Sequence, residues 1–180
     1  MEEQQLLVQP KKSPNSLALK ASVAYAVFFL ALIYIFKAMG MDSNNPNAPV
    51  AEKIITTLVS YVPFILAIIW VQTNFRTELG GFISYGRAFS SGFRTAVYAG
   101  SLIALVMILY LKLDPTALEE IMEASRQNAG DDENALKGIE MMRPYMVYMI
   151  GFGSAVSFTF LGLLVSLISA AFVKKEPSLD

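Results

Sequence analysis

The chain has 180 residues, of which 54% are hydrophobic and only 16% charged, and its formal net charge at pH 7 is −1. A soluble domain of this size carries about 25% charged residues, so long uncharged runs between clustered charges indicate a protein of the lipid bilayer. With no cysteine and no histidine, the chain cannot form disulfides, thiolate nucleophiles or histidine-based catalytic and metal sites, and it lacks the basic excess that attracts nucleic acid.

The first segment, residues 1–16, is polar and contains Pro10 and Pro14, which predicts a flexible tail. An uncharged run from Ala21 to Phe36 follows. Lysines flank this run and can extend their ammonium groups to the interface, so we predict a first span over about residues 17–39. A cleaved signal peptide is the alternative, but no small-residue cleavage site follows the apolar run.

Three further apolar runs predict three more spans. The second carries no charge and holds Pro63 near its middle, the third follows a segment with three arginines, and the fourth has twenty-nine residues without a charge. The four predicted spans cover about residues 17–39, 54–73, 88–111 and 145–173.

Residues 112–144, between spans three and four, hold eight of the fifteen acidic residues. Asp114 followed by Pro115 is a good helix start, and Leu118, Ile121 and Met122 have the spacing of an amphipathic helix. We therefore predict an all-α integral membrane protein, a bundle of four transmembrane helices with an amphipathic helical loop between spans three and four. Residues 176–180 form a short final tail.

Four spans place both termini on one side of the membrane. That side carries eight Lys and Arg residues against six on the other, so the positive-inside rule favours cytoplasmic termini. We expect a multi-pass protein of the bacterial cytoplasmic membrane, with the loop 112–144 outside the cytoplasm.

Small residues recur every fourth position in spans three and four, which lets helix backbones approach closely. Either these stripes are seams inside the bundle or one of them, with Gly162 and Ser166, faces a second copy or another membrane protein. The predicted packing face consists of Gly92, Ala96, Gly100, Ala104, Gly162, Ser166 and Ala170.

Arg87 and Arg94 are seven residues apart and so share one helix face. They either anchor span three at an anionic membrane surface or form, with Tyr85, a basic pocket for a lipid phosphate or for an acidic segment of a partner.

Catalytic and ion-coupled functions are disfavoured. Spans one, two and four have no charged residue between their flanking charges, and span three has only Arg94, near its cytoplasmic end. The adjacent acids Asp131, Asp132 and Glu133 lack the spacing of a calcium loop. Hydroxyls occur in spans two and four, but none has a neighbouring base. We expect no catalytic residue, no cofactor and no metal.

Several stretches resemble a known family. They are the Gly-Gly turn before FISYGRAFSSGFRTAVYAG (82–100), LDPTALEE (113–120) and LISAAFVKK (167–175). Over about residues 15–176 the chain is similar to the bacterial membrane proteins called domain of unknown function 4199. The resemblance implies a small multi-span protein and assigns no activity, cofactor or catalytic residue.

The leading hypothesis is a small non-enzymatic membrane protein that associates with membrane lipids or with another membrane protein, including a second copy of itself, and not with nucleic acid. The alternative is a small-solute permease or permease subunit, which a water-accessible cavity at mid-membrane would favour. A third possibility is a lipid-modifying enzyme with a polar cluster around Arg94.

Overall fold

The computed structural model describes residues 12–41 and 48–176. Over these residues the chain forms six α-helices and a short 3₁₀ turn. They are α1 (Asn15–Ala38), α2 (Val50–Glu78), α3 (Tyr85–Leu113), α4 (Pro115–Ala129), α5 (Glu133–Met142), the 3₁₀ turn (Arg143–Tyr145) and α6 (Met146–Val173).

Four of the helical segments are long and apolar enough to cross a membrane, and they contain α1, α2, α3 and α6. The predicted all-α integral membrane fold with four transmembrane helices is confirmed. Helix α2 begins at Val50 and ends at Glu78, beyond the uncharged run 54–73, because charged side chains at a helix end reach the interface without ending the helix. Of the predicted tails and first loop, residues 1–11, 42–47 and 177–180 lie outside the described residues.

The four long helices alternate in direction, so their ends meet in two groups. At one end, Arg94 on α3 donates to Asn15 Oδ1 at the start of α1 (2.7 Å), and Ile83 pairs with Lys175 through two backbone hydrogen bonds of 2.9 and 3.0 Å. We call this the termini end. At the other, the cap end, Lys37 at the end of α1 pairs with Asp114 just after α3.

Helices α4 and α5 form the cap. The Asp114 carboxylate accepts the backbone N–H of Ala117, with Pro115 in the first turn of α4, which confirms the predicted helix start. Gly130 ends α4 with a φ of +59°, a backbone conformation that favours glycine. Arg126 on α4 binds Glu140 on α5 at 2.5 Å, so the two short helices are joined as a unit.

One apolar cluster, around Tyr110, Leu111 and Ala117, joins α3 to the cap, and three others lie between the middle of the bundle and the termini end. Helix α2 shows this most clearly: Phe64, Ile68, Val71 and Phe75 are all at most 1% exposed, whereas Thr56 is the one buried residue before Phe64 among those that the structure describes on this helix. The first third of α2 is therefore loosely joined to the other spans, and a cavity opens beside it.

Candidate functional site

A cavity of about 730 Å³ lies at the cap end, between the start of α2 and the other spans, with α4 at its mouth. All four membrane-spanning helices contribute to its wall. The side chains and backbone that line it belong to Phe29, Leu32, Ile33, Phe36, Lys37, Gly40, Met41, Thr56, Thr57, Ser60, Tyr61, Met107, Tyr110, Ala117, Glu120, Ile121, Ser154 and Phe158.

The cavity reaches the middle of the bundle. On α6 its deepest residue, Phe158, lies twelve residues from the first helical residue, Met146, which is about 18 Å at 1.5 Å per residue. On α1 the wall extends from Lys37 to Phe29, about 12 Å. A hydrocarbon core is about 30 Å thick, so the cavity extends to roughly half that depth.

The wall has two chemically different sides. Helix α1 contributes an apolar side with two phenylalanines, a leucine and an isoleucine. Helix α2 contributes four hydroxyl side chains, Thr56, Thr57, Ser60 and Tyr61, which share one helix face because they are spaced at i and i+4. Ser154 on α6 and Tyr110 on α3 add two more hydroxyls.

Three of these hydroxyls donate their proton to a backbone carbonyl of their own helix. Thr56 Oγ1 donates to the carbonyl of Glu52 (2.9 Å), Thr57 Oγ1 to that of Lys53 (2.6 Å), and Ser154 Oγ to that of Ile150 (2.8 Å). A hydroxyl has one proton and two lone pairs, so a molecule in the cavity finds hydrogen-bond acceptors on these groups.

Five aromatic rings cluster at the inner end of the cavity as its floor, and three of them, Phe29, Tyr61 and Phe158, line it directly. Phe64 and Phe158 meet edge to face with their centroids 5.2 Å apart, and Tyr61 lies 5.3 Å from Phe158. Tyr25 is packed 5.3 Å from Phe64 and donates from its hydroxyl to the carbonyl of Ser60 (2.9 Å). Phe29 completes the group at 5.7 Å from Phe158. This aromatic floor separates the cavity from the termini end.

Charged groups lie at the mouth. Lys37 pairs with Asp114 and lies 3.5 Å from the Thr116 hydroxyl, and Glu120 stands on the cavity side of α4. The hydrogen bond from Lys37, and after it that from Thr116, lowers the pKa of Asp114 to about 2. The carboxylate therefore stays charged at physiological pH and fastens α1 to the start of the cap.

A layer of buried polar side chains lies beyond the aromatic floor, toward the termini end. Its members are Ser22, Gln72, Ser91, Thr95, Ser166 and Ser169, all at most 8% exposed. Gln72 Nε2 donates to the carbonyl of Ser166 at 3.3 Å, while Gln72 Oε1 and Ser166 Oγ have no partner among the described residues. We call this group the polar layer.

The small residues of the predicted packing face lie where α3 crosses α6. A Cβ on Gly100 would lie 2.7 Å from Thr159 Oγ1, one on Gly92 would lie 2.7 Å from Ser166 Oγ, and one on Gly162 would overlap Ala96. Ala104 offers its carbonyl to the same seam opposite Gly151, and Ala170 is fully buried against the cluster around Phe75. These contacts are all within the chain.

The predicted basic pocket lies at the termini end and outside the wall of the cavity. Arg94 donates to Asn15 and Ser13, the Tyr85 hydroxyl donates to the carbonyl of Leu167 at 3.2 Å, and the Arg87 guanidinium lies 5.9 Å from the centroid of the Phe75 ring. These contacts lie at the start of α1, on α6 and on α2.

The sequence contained a partial signal for the cavity. The hydroxyls of spans two and four were evident as candidates, but their convergence depends on how far α2 diverges from its neighbours. Gln72 was not predicted, because the candidate groups within the spans were ionisable residues and hydroxyls. A neutral amide in a span also needs a hydrogen-bond partner, and that requirement would have singled it out.

Four helices that are long and apolar enough to cross a membrane, packed around a cavity at the cap end, define a small polytopic membrane protein. The family model described as "Protein of unknown function (DUF4199)" matches residues 19–175, and the chain belongs to this family. The predicted resemblance is thereby confirmed. No curated protein and no solved structure matches the chain.

Proposed function

We propose that this protein is a non-enzymatic membrane protein that binds a membrane lipid in the cavity at the cap end. The observation that carries the proposal is the two-sided wall, apolar on α1 and rich in hydroxyls on α2. A lipid molecule has the same division, because its chain is apolar and its head and linking region are polar.

The size and position of the cavity support a lipid. Binding sites for small molecules have volumes of about 300–1,000 Å³, and 730 Å³ accommodates a head group and part of a chain. An apolar side at this depth is poorly solvated by water, whereas an acyl chain covers it without leaving polar groups unpaired. The small-residue stripes are occupied by contacts within the chain, which favours lipid over protein as the associated molecule.

We also propose that both termini lie in the cytoplasm of a bacterium. The described part of the termini end carries seven basic residues, namely Lys12, Lys20, Arg76, Arg87, Arg94, Lys174 and Lys175. Basic residues near span ends favour the cytoplasmic side. Reporter fusions at each terminus test this orientation, and an external signal from either terminus would contradict it.

Two serines on α6 provide a matched test of lipid binding. Ser154 lines the cavity, whereas Ser157, one turn further on, is exposed on the outer surface of the bundle. We expect Ser154→Phe to fill the cavity and to reduce the lipid retained after purification in mild detergent, measured by native mass spectrometry. Ser157→Phe should retain the wild-type amount. Equal retention in all three proteins would contradict the proposal.

A small-solute permease is the second candidate, and the polar layer favours it. The cavity ends at the aromatic floor, and beyond that floor buried polar groups with unpartnered atoms continue toward the termini end. Polar groups inside a membrane protein commonly mark a substrate pathway. Reconstitution into liposomes tests this candidate: Phe158→Ala should raise the flux of small polar solutes, and no flux in either protein would exclude it.

A further inference from the structure

The charges at the mouth of the cavity carry information about the head group of its ligand. Among the described residues that line the cavity, Lys37 is the one cation and Glu120 the one anion. Lys37 is already paired with Asp114 beside the mouth, so the Glu120 carboxylate is the charge that has no ion-pair partner among the described residues, and it favours a ligand with a positively charged group. A singly anionic head group would leave the carboxylate of Glu120 opposed by a like charge.

The geometry of α4 sets the distance between the two charges. The Lys37 ammonium lies 3.5 Å from the hydroxyl of Thr116, and Glu120 follows Thr116 by four residues on the same helix. Residues at i and i+4 lie on one face about 5–6 Å apart. Lys37 and Glu120 are close enough to interact electrostatically, so two oppositely charged groups of a ligand separated by a short linker can reach both.

Each charge has binding capacity left. An ammonium group has three N–H donors, and Lys37 directs hydrogen bonds to two groups, Asp114 and Thr116. Among the described residues Glu120 takes part in no ion pair, in contrast to Glu119, Glu123 and Glu140. The hydroxyls of Thr56, Thr57 and Ser154 present oxygen lone pairs because their protons go to backbone carbonyls.

We infer that the cavity selects a phospholipid with a phosphoethanolamine head group, with its phosphate at Lys37 and its primary ammonium at Glu120. This inference rests on the proposed lipid-binding function. The primary ammonium supplies N–H donors both to the carboxylate and to the hydroxyl oxygens of the wall. A phosphocholine head carries the same charges but no N–H donor, and a phosphoglycerol head carries no cation.

The test uses the full-length protein in mild detergent, titrated with three lipids of identical acyl chains that carry phosphoethanolamine, phosphocholine or phosphoglycerol heads. Bound lipid is measured by native mass spectrometry. We expect the phosphoethanolamine lipid to bind most tightly. Glu120→Gln should weaken its binding about threefold, the effect of a solvated ion pair, and leave the phosphocholine lipid nearly unchanged. Asp131→Asn, in the exposed turn between α4 and α5, removes a cap-end acid away from the cavity and should preserve the preference.

The outcomes separate this inference from the proposed function. Equal affinity for the three lipids, or a preference that survives Glu120→Gln, would overturn the head-group assignment while lipid binding stands. Affinity that Ser154→Phe leaves unchanged for every lipid would overturn the proposed function itself. If soluble phosphoethanolamine displaced the lipid at comparable concentration, the site would recognise the free head group, and the assignment to a phospholipid would be wrong.

Discussion

The two halves of the bundle are built differently. Toward the termini end, α2 packs Phe64, Ile68 and Phe75 against its neighbours with almost no exposure. Toward the cap end Thr56 is the one buried residue that the structure describes on this helix before Phe64, and the helix faces the other spans with hydroxyls around a cavity. One helix is thus a core element over one half of its length and a cavity wall over the other.

The difference between the two halves shows which contacts bring transmembrane helices together in lipid. Hydrocarbon gives apolar helices no solvent-driven reason to associate, so close approach of backbones decides where they pack. Helices α3 and α6 have glycine or alanine at each crossing, whereas α2 contains no glycine and is held to the bundle by large side chains beyond Pro63. Before Pro63, Tyr61 packs on Phe158 and the Ser60 carbonyl accepts from Tyr25. The cavity opens beside the turns of α2 that precede these contacts.

The largest expected effect on stability is in the half of the bundle toward the termini end, which we call the packed half. A Cβ on Gly162 would overlap Ala96 and lie 3.0 Å from Phe64 Cζ, so Gly162→Ala must force α3 and α6 apart. Overpacking of this kind costs about 1–3 kcal/mol. Thermal unfolding in detergent should show a lower midpoint than for the wild type.

Gly153 is the matched control on the same helix, because a Cβ there has no atom within 4 Å. Gly153→Ala should leave the midpoint unchanged or raise it, since alanine favours the helix by about 0.5–1 kcal/mol over glycine. If both variants unfolded at the same temperature, the distinction between a tight seam and an open surface would be wrong.

A smaller effect on the free energy of unfolding is expected in the polar layer. Gln72 is fully buried with an unpartnered Oε1, and its one hydrogen bond within the described residues is long at 3.3 Å. Methionine has a similar unbranched shape and needs no partner, so Gln72→Met should maintain or raise the free energy of unfolding, by up to about 1 kcal/mol.

The same variant sharpens the choice between the two candidate functions. A permease that uses the polar layer would lose solute flux in Gln72→Met although the protein is as stable as before, and a lipid-binding protein would retain its lipid. A clear loss of stability would instead show that the amide of Gln72 is needed to hold the packed half together.

The sequence predicted the parts of the fold that depend on local chemistry. Uncharged runs predicted the four spans because any such run of sufficient length is most stable among acyl chains. The start of α4 was predictable because Asp114 and Pro115 satisfy the requirements of a helix N-terminus by themselves.

The cavity was not predictable in the same way. It arises from the distance between α2 and three other helices, and nothing in the local pattern of Thr56 to Tyr61 reports that distance. Likewise, the sequence left open whether Arg94 anchors span three at an anionic membrane surface or belongs to a basic pocket. Its hydrogen bonds to Ser13 and Asn15 join segments about eighty residues apart, which no spacing rule connects.

The smallest expected effect concerns the ion pair between Lys37 and Asp114, which lies in the half of the bundle toward the cap end, the open half. The pKa of Asp114 is about 2 in the folded protein, below its ordinary value of 3.8, because Lys37 and Thr116 donate to the carboxylate. A carboxyl whose folded pKa is lowered stabilises the fold fully above about pH 4, and this contribution disappears as the pH falls toward 2. Hydrogen exchange of the α4 amides should therefore accelerate over that interval relative to the rest of the bundle.

Asp114→Asn retains a helix-capping side chain but cannot carry the charge, so its α4 exchange should already be faster at neutral pH and should change less between pH 4 and 2. If the α4 exchange of Asp114→Asn followed the wild-type profile, the cap would be held by its apolar contacts and not by the ion pair. The open half would then be held together by apolar packing, as the packed half is.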